Sequence, residues 1–394
     1  MVDLSAQVLG LLFPNPFILA AGPTTANAER VLEAFRAGWG GAVLQTVAAG
    51  LPDGWPQGSQ VIRSGARRWG IVDFNIRSEL TPGLMGQEID RIRDSFPDRP
   101  LLVSITADDR AEVWQEMVRE LDAHGVDGFE VQAGWSNLVR GGSPAELGQD
   151  PEALARTLKW VKQATARLLV VKLSPNVADI LPAARAAVEA GAEGFTATSG
   201  LSALGGIDSG TLLPLPLQDP AHMVGSYRGP GLKPVALRWT ASLAKKLGRP
   251  VFGCGGIAEW QDAAEFLALG ASAVQVGAAV EWEGVGIIGR LTVGLQEYLG
   301  RKGFASPADI IGRALPRLVE FDDLDLNSEI VAVIDETRCT GCDVCIRACS
   351  SGAFQAIDRV GEVARVDRLR CDGCGLCIYV CPEGAIRKMP TLAA

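Results

Sequence analysis

The sequence predicts an α/β fold, a TIM (β/α)8 barrel followed by a small cysteine-rich domain. Three observations carry this reading. Between residues 16 and 299, short apolar runs alternate with helical patterns eight times. The runs are apolar on both faces, as strands of a parallel sheet covered by helices are. Eight of the nine cysteines crowd between 339 and 381.

The expected barrel strands are PFILAAGP (16–23), GAVLQTV (41–47), LLVSIT (101–106), GFEVQAG (128–134), LLVVKLS (168–174), GFTATS (194–199), PVFGCGG (250–256) and AVQVGAA (273–279). Helical patterns lie between them. Residues 109–125 start with acidic side chains and end at a glycine, the usual polarity of a helix. Residues 151–166, 179–191 and 260–270 read likewise. Eight such units fit a barrel of about 250 residues plus insertions. A doubly wound sheet is the alternative, but AAGPTTAN (20–27) lacks the G-x-G-x-x-G turn that such a fold places after its first strand. Two loops after strands, 48–81 and 200–234, are long and rich in Gly, Pro and Ser, and are expected to act as lids or substrate loops. The expected division is a barrel over 1–300, an acidic connector over 301–334 and a tail domain over 335–394.

The bulk numbers narrow the function. With 394 residues, 47% hydrophobic and 21% charged, the chain has ordinary globular composition. A formal charge of −9 argues against nucleic acid as a partner. No apolar run approaches the length of a membrane span. The N-terminus reads as the start of the fold and not as a signal peptide, so the expected location is cytoplasmic.

In a chain without a secretion signal, dense cysteines at two-residue gaps point to metal binding and not to disulfides. The tail repeats C-x2-C-x2-C-x3-C, at 339–349 and at 371–381. Thiolates suit iron, and this spacing grips one face of a cubane while the fourth cysteine reaches the other cluster. Cys339, Cys342, Cys345 and Cys381 are therefore assigned to one 4Fe–4S cluster. Cys371, Cys374, Cys377 and Cys349 are assigned to the second, in a ferredoxin-like domain; zinc is the alternative occupant. Ser350 stands where a proline usually follows the first run, whereas Pro382 follows the second.

An electron wire implies a redox cofactor in the barrel. Glycine-rich strand ends at 253–257 and 277–279 could cradle a phosphate through backbone N–H groups. Lys172 interrupts an apolar strand, where its charge requires an anionic partner. That partner is either a reduced flavin or a structural carboxylate.

These stretches resemble the dihydroorotate dehydrogenase superfamily, most closely the FMN and iron–sulfur subunits of bacterial dihydropyrimidine dehydrogenases. The matching segments are 14–23, 38–43, Asn75–Ile76, 170–176 with 179–180, 229–237, 255–257, 262–271, 274–279 and the tail. The resemblance implies FMN at the C-terminal mouth of the barrel. Its contacts would come from Ala21, Gly22, Gln45 and Thr46, from Lys172 and Gly229, and from Gly255, Gly256, Gly277 and Ala278. It also implies electrons from an FAD-bearing, NAD(P)H-oxidising partner subunit or a ferredoxin, and a homodimer or heterotetramer.

The substrate half of the pattern departs from the family. Gln132 stands for an Asn and Trp135 for the proton-transferring Cys; Ser199 and Gly200 replace an Asn-Thr pair, and Gln45 replaces a Lys. Asn75 is kept. An indole cannot deliver the proton that must accompany hydride transfer, but its flat face can stack on a planar substrate. The expected substrate-binding residues are Asn75, Gln132, Trp135 and Ser199, with Ser136 and Lys172 in catalytic roles. His222 and Tyr227 are further donor candidates; His124 and Cys254 are expected to be structural. The expected function is an oxidoreductase that reduces an unsaturated planar small molecule. The alternatives are a dihydropyrimidine- or dihydroorotate-type dehydrogenase with a displaced acid, and a non-catalytic electron-transfer subunit.

Overall fold

A computed structural model describes residues 2–50, 58–74, 78–134, 147–216, 224–324, 330–352 and 354–390. The expected barrel is present. Its strands are β1 (Phe17–Leu19), β2 (Gly41–Ala49), β3 (Leu101–Ala107), β4 (Gly128–Gln132), β5 (Leu168–Lys172), β6 (Gly194–Ala197), β7 (Val251–Cys254) and β8 (Ala273–Val276). They run parallel in sequential order, and β8 closes on β1 with Val274 opposite Phe17.

Local chemistry starts and stops the helices. Helix α1 (Ala28–Ala37) is capped by Asn27, whose side chain accepts from Arg30 N at 3.2 Å, and ends at Gly38 with φ +111°. Thr81 followed by Pro82 opens α2 (Pro82–Ser95); α3 (Ala111–Asp122) follows β3. Asp150 followed by Pro151 opens α4 (Pro151–Ala164). The outer layer continues with α5 (Leu181–Glu189), α6 (Lys233–Leu247), α7 (Trp260–Ala268), the short α8 (Ala278–Glu283) and α9 (Ile288–Arg301). Trp39, Trp114, Phe129, Phe195 and Phe266 are fully buried in the core these helices share with the strands.

The bottom of the barrel is sealed separately. A hairpin of Ala6–Val8 and Leu11–Phe13 brings Phe13 edge-on to Phe252, with ring centroids 6.3 Å apart. Ile18, Val43, Leu102 and Val170 complete this inner apolar cluster. A Cβ on Gly41 would lie 2.8 Å from the Phe13 ring, so the glycine makes room for the plug.

The described parts of the two long loops include strands. Strands Ser59–Ser64 and Arg67–Asp73 from the first pair with Leu201–Ala203 and Gly225–Arg228 from the second. Together they form one antiparallel sheet, with Gly225–Arg228 bonded to Arg67–Asp73.

The expected domain limits shift. The chain divides after Arg317 and not after residue 300, because 301–317 stays bound to the barrel unit: Gly312 N and Ala314 N each donate at 2.9 Å to the end of α7. The second unit, Leu318–Ala394, also takes in Ile330–Ile334, which pairs antiparallel with Ile386–Pro390 and so belongs to the tail and not to a connector. That unit adds a hairpin (Ile357–Val360, Val363–Val366) and two short helices, Val344–Ser351 and Leu376–Val380. Among the described residues, no helix is long and apolar enough to cross a membrane.

Gly70 sits against Tyr227 in the lid sheet, and a Cβ there would lie 2.3 Å from the ring. Gly70→Val should therefore strip hydrogen-exchange protection from 67–73 and 225–228 while leaving the amides of β1–β8 protected. Exchange mass spectrometry would read this directly.

Candidate active site

The C-terminal ends of the barrel strands open onto a cleft. Ala21 and Gly22 enter it after β1, Thr46 from β2 and Lys172 from β5. Gly229, Gly255, Gly256, Gly277 and Ala278 add a glycine-rich wall, which the pairing of β8 with β1 sets beside Ala21 and Gly22. Of the residues expected at the cofactor, only Gln45 lies elsewhere. The register of β2 slips against β3 between Leu44 and Val47, a bulge that sets both Gln45 and Thr46 against the level of Ser104. Thr46 turns inward, its hydroxyl 2.9 Å from that of Ser104, while Gln45 faces a separate cavity with Ser78 and Glu88.

The wall suits a phosphate-bearing flavin. Gly255 and Gly256 have φ of +133° and +77°, which turns consecutive backbone N–H groups in a way L side chains resist. A Cβ on Gly256 would meet Lys233 N at 2.8 Å. The Thr198 hydroxyl is buried beside the cleft and has no partner among the described residues, so it remains a donor for a bound group.

The floor of the cleft carries an ion pair. Lys172 Nζ lies 3.3 Å from Glu130 Oε1 and donates to Gln275 Oε1 at 3.1 Å. Thr196 Oγ1 and Gln275 Nε2 donate to Glu130 Oε2 at 2.6 and 2.7 Å. Burial works against the Lys172 charge, but Cys254 and Glu130 outweigh it and hold the ammonium above the ordinary lysine range. Burial also pushes the Cys254 thiol up. Lys172 thus has a structural carboxylate and also lines the cleft. Glu130 escaped the sequence reading although a carboxylate in an apolar strand carries the same signal as Lys172.

The mouth holds a second charged group. Arg228, on the lid sheet, donates through Nε to Asp73 Oδ2 at 2.8 Å and pairs with Glu281 on α8. Asp73 is buried; burial raises its pKa, the Arg228 charge lowers it, and Glu281 raises it.

The substrate half is partly in view. Gln132 and Ser199 line the cleft, but both brace the end of β4. Gln132 Oε1 accepts from Gly134 N at 3.3 Å, and the Ser199 hydroxyl donates to Gly134 O at 2.9 Å. Asn75, Trp135, Ser136 and His222 lie outside the described residues. Tyr227 donates to Trp69 O at 2.8 Å and so serves the lid sheet. His124 pairs with Asp90 at 2.9 Å, away from the cleft.

The tail unit gathers its cysteines into two sets. Cys339, Cys342, Cys345 and Cys381 ring one cavity of about 340 Å³. Cys349, Cys371, Cys374 and Cys377 ring another of about 330 Å³. Each set draws three thiols from one run and one from the other. Among the described residues, no three His, Cys, Asp or Glu side chains converge as one ion would need. Thiols spread around a cavity suit a cubane better than a single zinc. Burial pushes Cys377 up to about 11, with Cys371 and Cys374 adding repulsion, so bringing these thiolates together calls for a positively charged core.

Comparison with known proteins agrees with this geometry. The family model described as dihydroorotate dehydrogenase matches residues 3–299, and one described as a 4Fe-4S dicluster domain matches 332–388. The NAD-dependent dihydropyrimidine dehydrogenase subunit PreA of Escherichia coli is 28% identical over 363 residues, 90% of this chain and 87% of the relative. The catalytic subunit of dihydroorotate dehydrogenase B (NAD(+)) of Pyrococcus furiosus is 34% identical over 313 residues, 79% of this chain and 99% of the relative. The chloroplastic dihydropyrimidine dehydrogenase (NADP(+)) of Arabidopsis thaliana is 28% identical over 338 residues, 82% of this chain and 79% of the relative.

Two outcomes follow for the purified protein. Gly256→Val forces a side chain into a left-handed conformation, and should weaken flavin retention about tenfold or more. Absorbance after gel filtration would show this against unchanged circular dichroism. Cys349→Ala and Cys374→Ala should each remove about half of the iron, and the double variant no more, because both thiols serve one cavity. Iron and sulfide analysis decides that.

Proposed function

The chain belongs to the dihydroorotate dehydrogenase family, and from that premise we propose an FMN- and iron–sulfur-dependent oxidoreductase that reduces an unsaturated, planar, cyclic or heteroaromatic small molecule. The observation that carries this reading is that the glycine wall and Lys172 line the same cleft. Gly255, Gly256, Gly277 and Ala278 would hold the FMN phosphate, and Ala21, Gly22, Thr46 and Gly229 would line the rest of the cofactor. When bound, FMN supplies a two-electron hydride carrier able to exchange single electrons with iron–sulfur groups.

The protein's own residues supply charge, position and protons. Lys172 places a fixed positive charge at the cleft floor. Gln132 presents an amide to the substrate, Asn75 a second one, and Trp135 a flat face for stacking. Ser136 is the proposed proton donor in place of the family thiol. Two 4Fe–4S clusters on the two cysteine sets would carry electrons from an FAD-bearing, NAD(P)H-oxidising partner subunit or from a ferredoxin. A cytoplasmic homodimer or heterotetramer is the proposed setting.

A second reading, a dehydrogenase for dihydropyrimidines or dihydroorotate with a displaced acid, is favoured by what the relatives are named for. It must explain Gln132, Trp135, Ser199 and Gly200, all of which differ from the pyrimidine pattern.

Anaerobic purification with assay of flavin, iron and sulfide tests the cofactors. The reduced protein is then offered uracil, dihydroorotate and a panel of heteroaromatics. Reduction of a heteroaromatic with little uracil turnover is the expected result. Uracil turnover at ordinary rates would overturn the first reading in favour of the second. Trp135→Cys alone should not create pyrimidine activity, because Gln132, Ser199 and Gly200 remain.

A further inference from the structure

We infer that Glu130 is a positioning residue for the redox chemistry: acting through Lys172, it keeps a positive charge under the bound flavin and thereby sets the flavin's reduction potential. This rests on the FMN reading of the cleft, although the inference itself concerns a residue that touches neither wall of the cradle.

The placement is specific. In strand register Lys172 is level with Gln132 on β4 and Thr196 on β6. Glu130 sits two residues deeper on β4, opposite Val170. The carboxylate is wholly buried, with Lys172 directly above it and only 5% exposed. Donors from β5, β6 and β8 converge on Glu130. A group that receives donors from three strands is placed as a carboxylate, and its charge is directed at Lys172.

Few other groups can support the Lys172 charge. Thr196 on β6 and Gln275 on β8 are neutral. Cys254 on β7 is titratable, but burial keeps it a thiol at neutral pH. Asp73 and Glu281 at the mouth are both engaged with Arg228. Without Glu130 no carboxylate would stand against the ammonium, and burial favours the neutral amine. Lys172 would then titrate within the working range, and the electrostatic support for a reduced, anionic flavin would depend on pH.

The test compares potentials, not turnover. The midpoint potential of the bound flavin is measured anaerobically by its absorbance between pH 6 and pH 9, in the wild type, Glu130→Gln and Lys172→Met. Lys172→Met should lie below the wild type throughout by at least a factor of ten in the reduction equilibrium, about 30 mV for a two-electron couple. Glu130→Gln should follow the wild type at the acid end and fall to the Lys172→Met curve at the alkaline end. A Glu130→Gln curve parallel to the wild type, or one shifted upward without a new inflection, overturns the inference. Should Glu130→Gln not accumulate as folded holoprotein, Glu130→Asp carries the same test, since its shorter side chain withdraws the carboxylate from Lys172. Absence of flavin from the wild type would instead overturn the FMN reading, so the two failures are distinguishable.

Discussion

Glu130 and Lys172 meet inside a closed barrel whose lower end is plugged by Phe13 and Phe252, and much of the rest of the site depends on their pairing. A charge so deeply buried needs a counter-charge of its own. Removing one partner of a buried pair typically costs roughly 3–5 kcal/mol. The barrel therefore keeps Lys172 where it can act only if Glu130, Thr196 and Gln275 are kept as well. Four strands are tied to one buried charge, which makes the cleft floor a rigid part of the scaffold and leaves adaptation to the loops above.

The loops above show that adaptation. The first and second excursions meet in one sheet, and Arg228 ties this sheet to α8, the helix that follows the glycines of β8. The cover of the site is thus fastened to the wall expected to hold the cofactor. Gln132 and Ser199 line the cleft and also brace Gly134, so the end of β4 is held as a local unit.

The barrel was legible because its strands are apolar on both faces, a pattern little else produces. The grouping of the cysteines into two sets was legible because their spacing is nearly a geometric statement. The lid sheet was not: Ser59–Ser64 and Arg67–Asp73 begin exposed and polar, and one partner strand lies more than 150 residues further on, at Gly225–Arg228. Gln45 was misplaced because a bulge upset the simple alternation of β2. Glu130 was overlooked beside the more conspicuous changes at Gln132 and Trp135, although two opposite charges on neighbouring apolar strands are a pairing signal in their own right. Residues 135–146, where Trp135 and Ser136 were expected to act, lie outside the described residues.

The plug and the closing strand also govern how the chain comes to be folded. β1 pairs with β8, and the hairpin beneath it packs against Phe252 and Ala273, some 240 to 260 residues later in synthesis. A nascent chain would carry Phe13, Phe17 and Ile18 without their final neighbours until nearly the whole barrel had left the ribosome. The cysteine-rich unit emerges only after that point. Closure of the barrel is thus a late event in synthesis, and exposed apolar surface at the N-terminus is the hazard that a folding helper would have to cover.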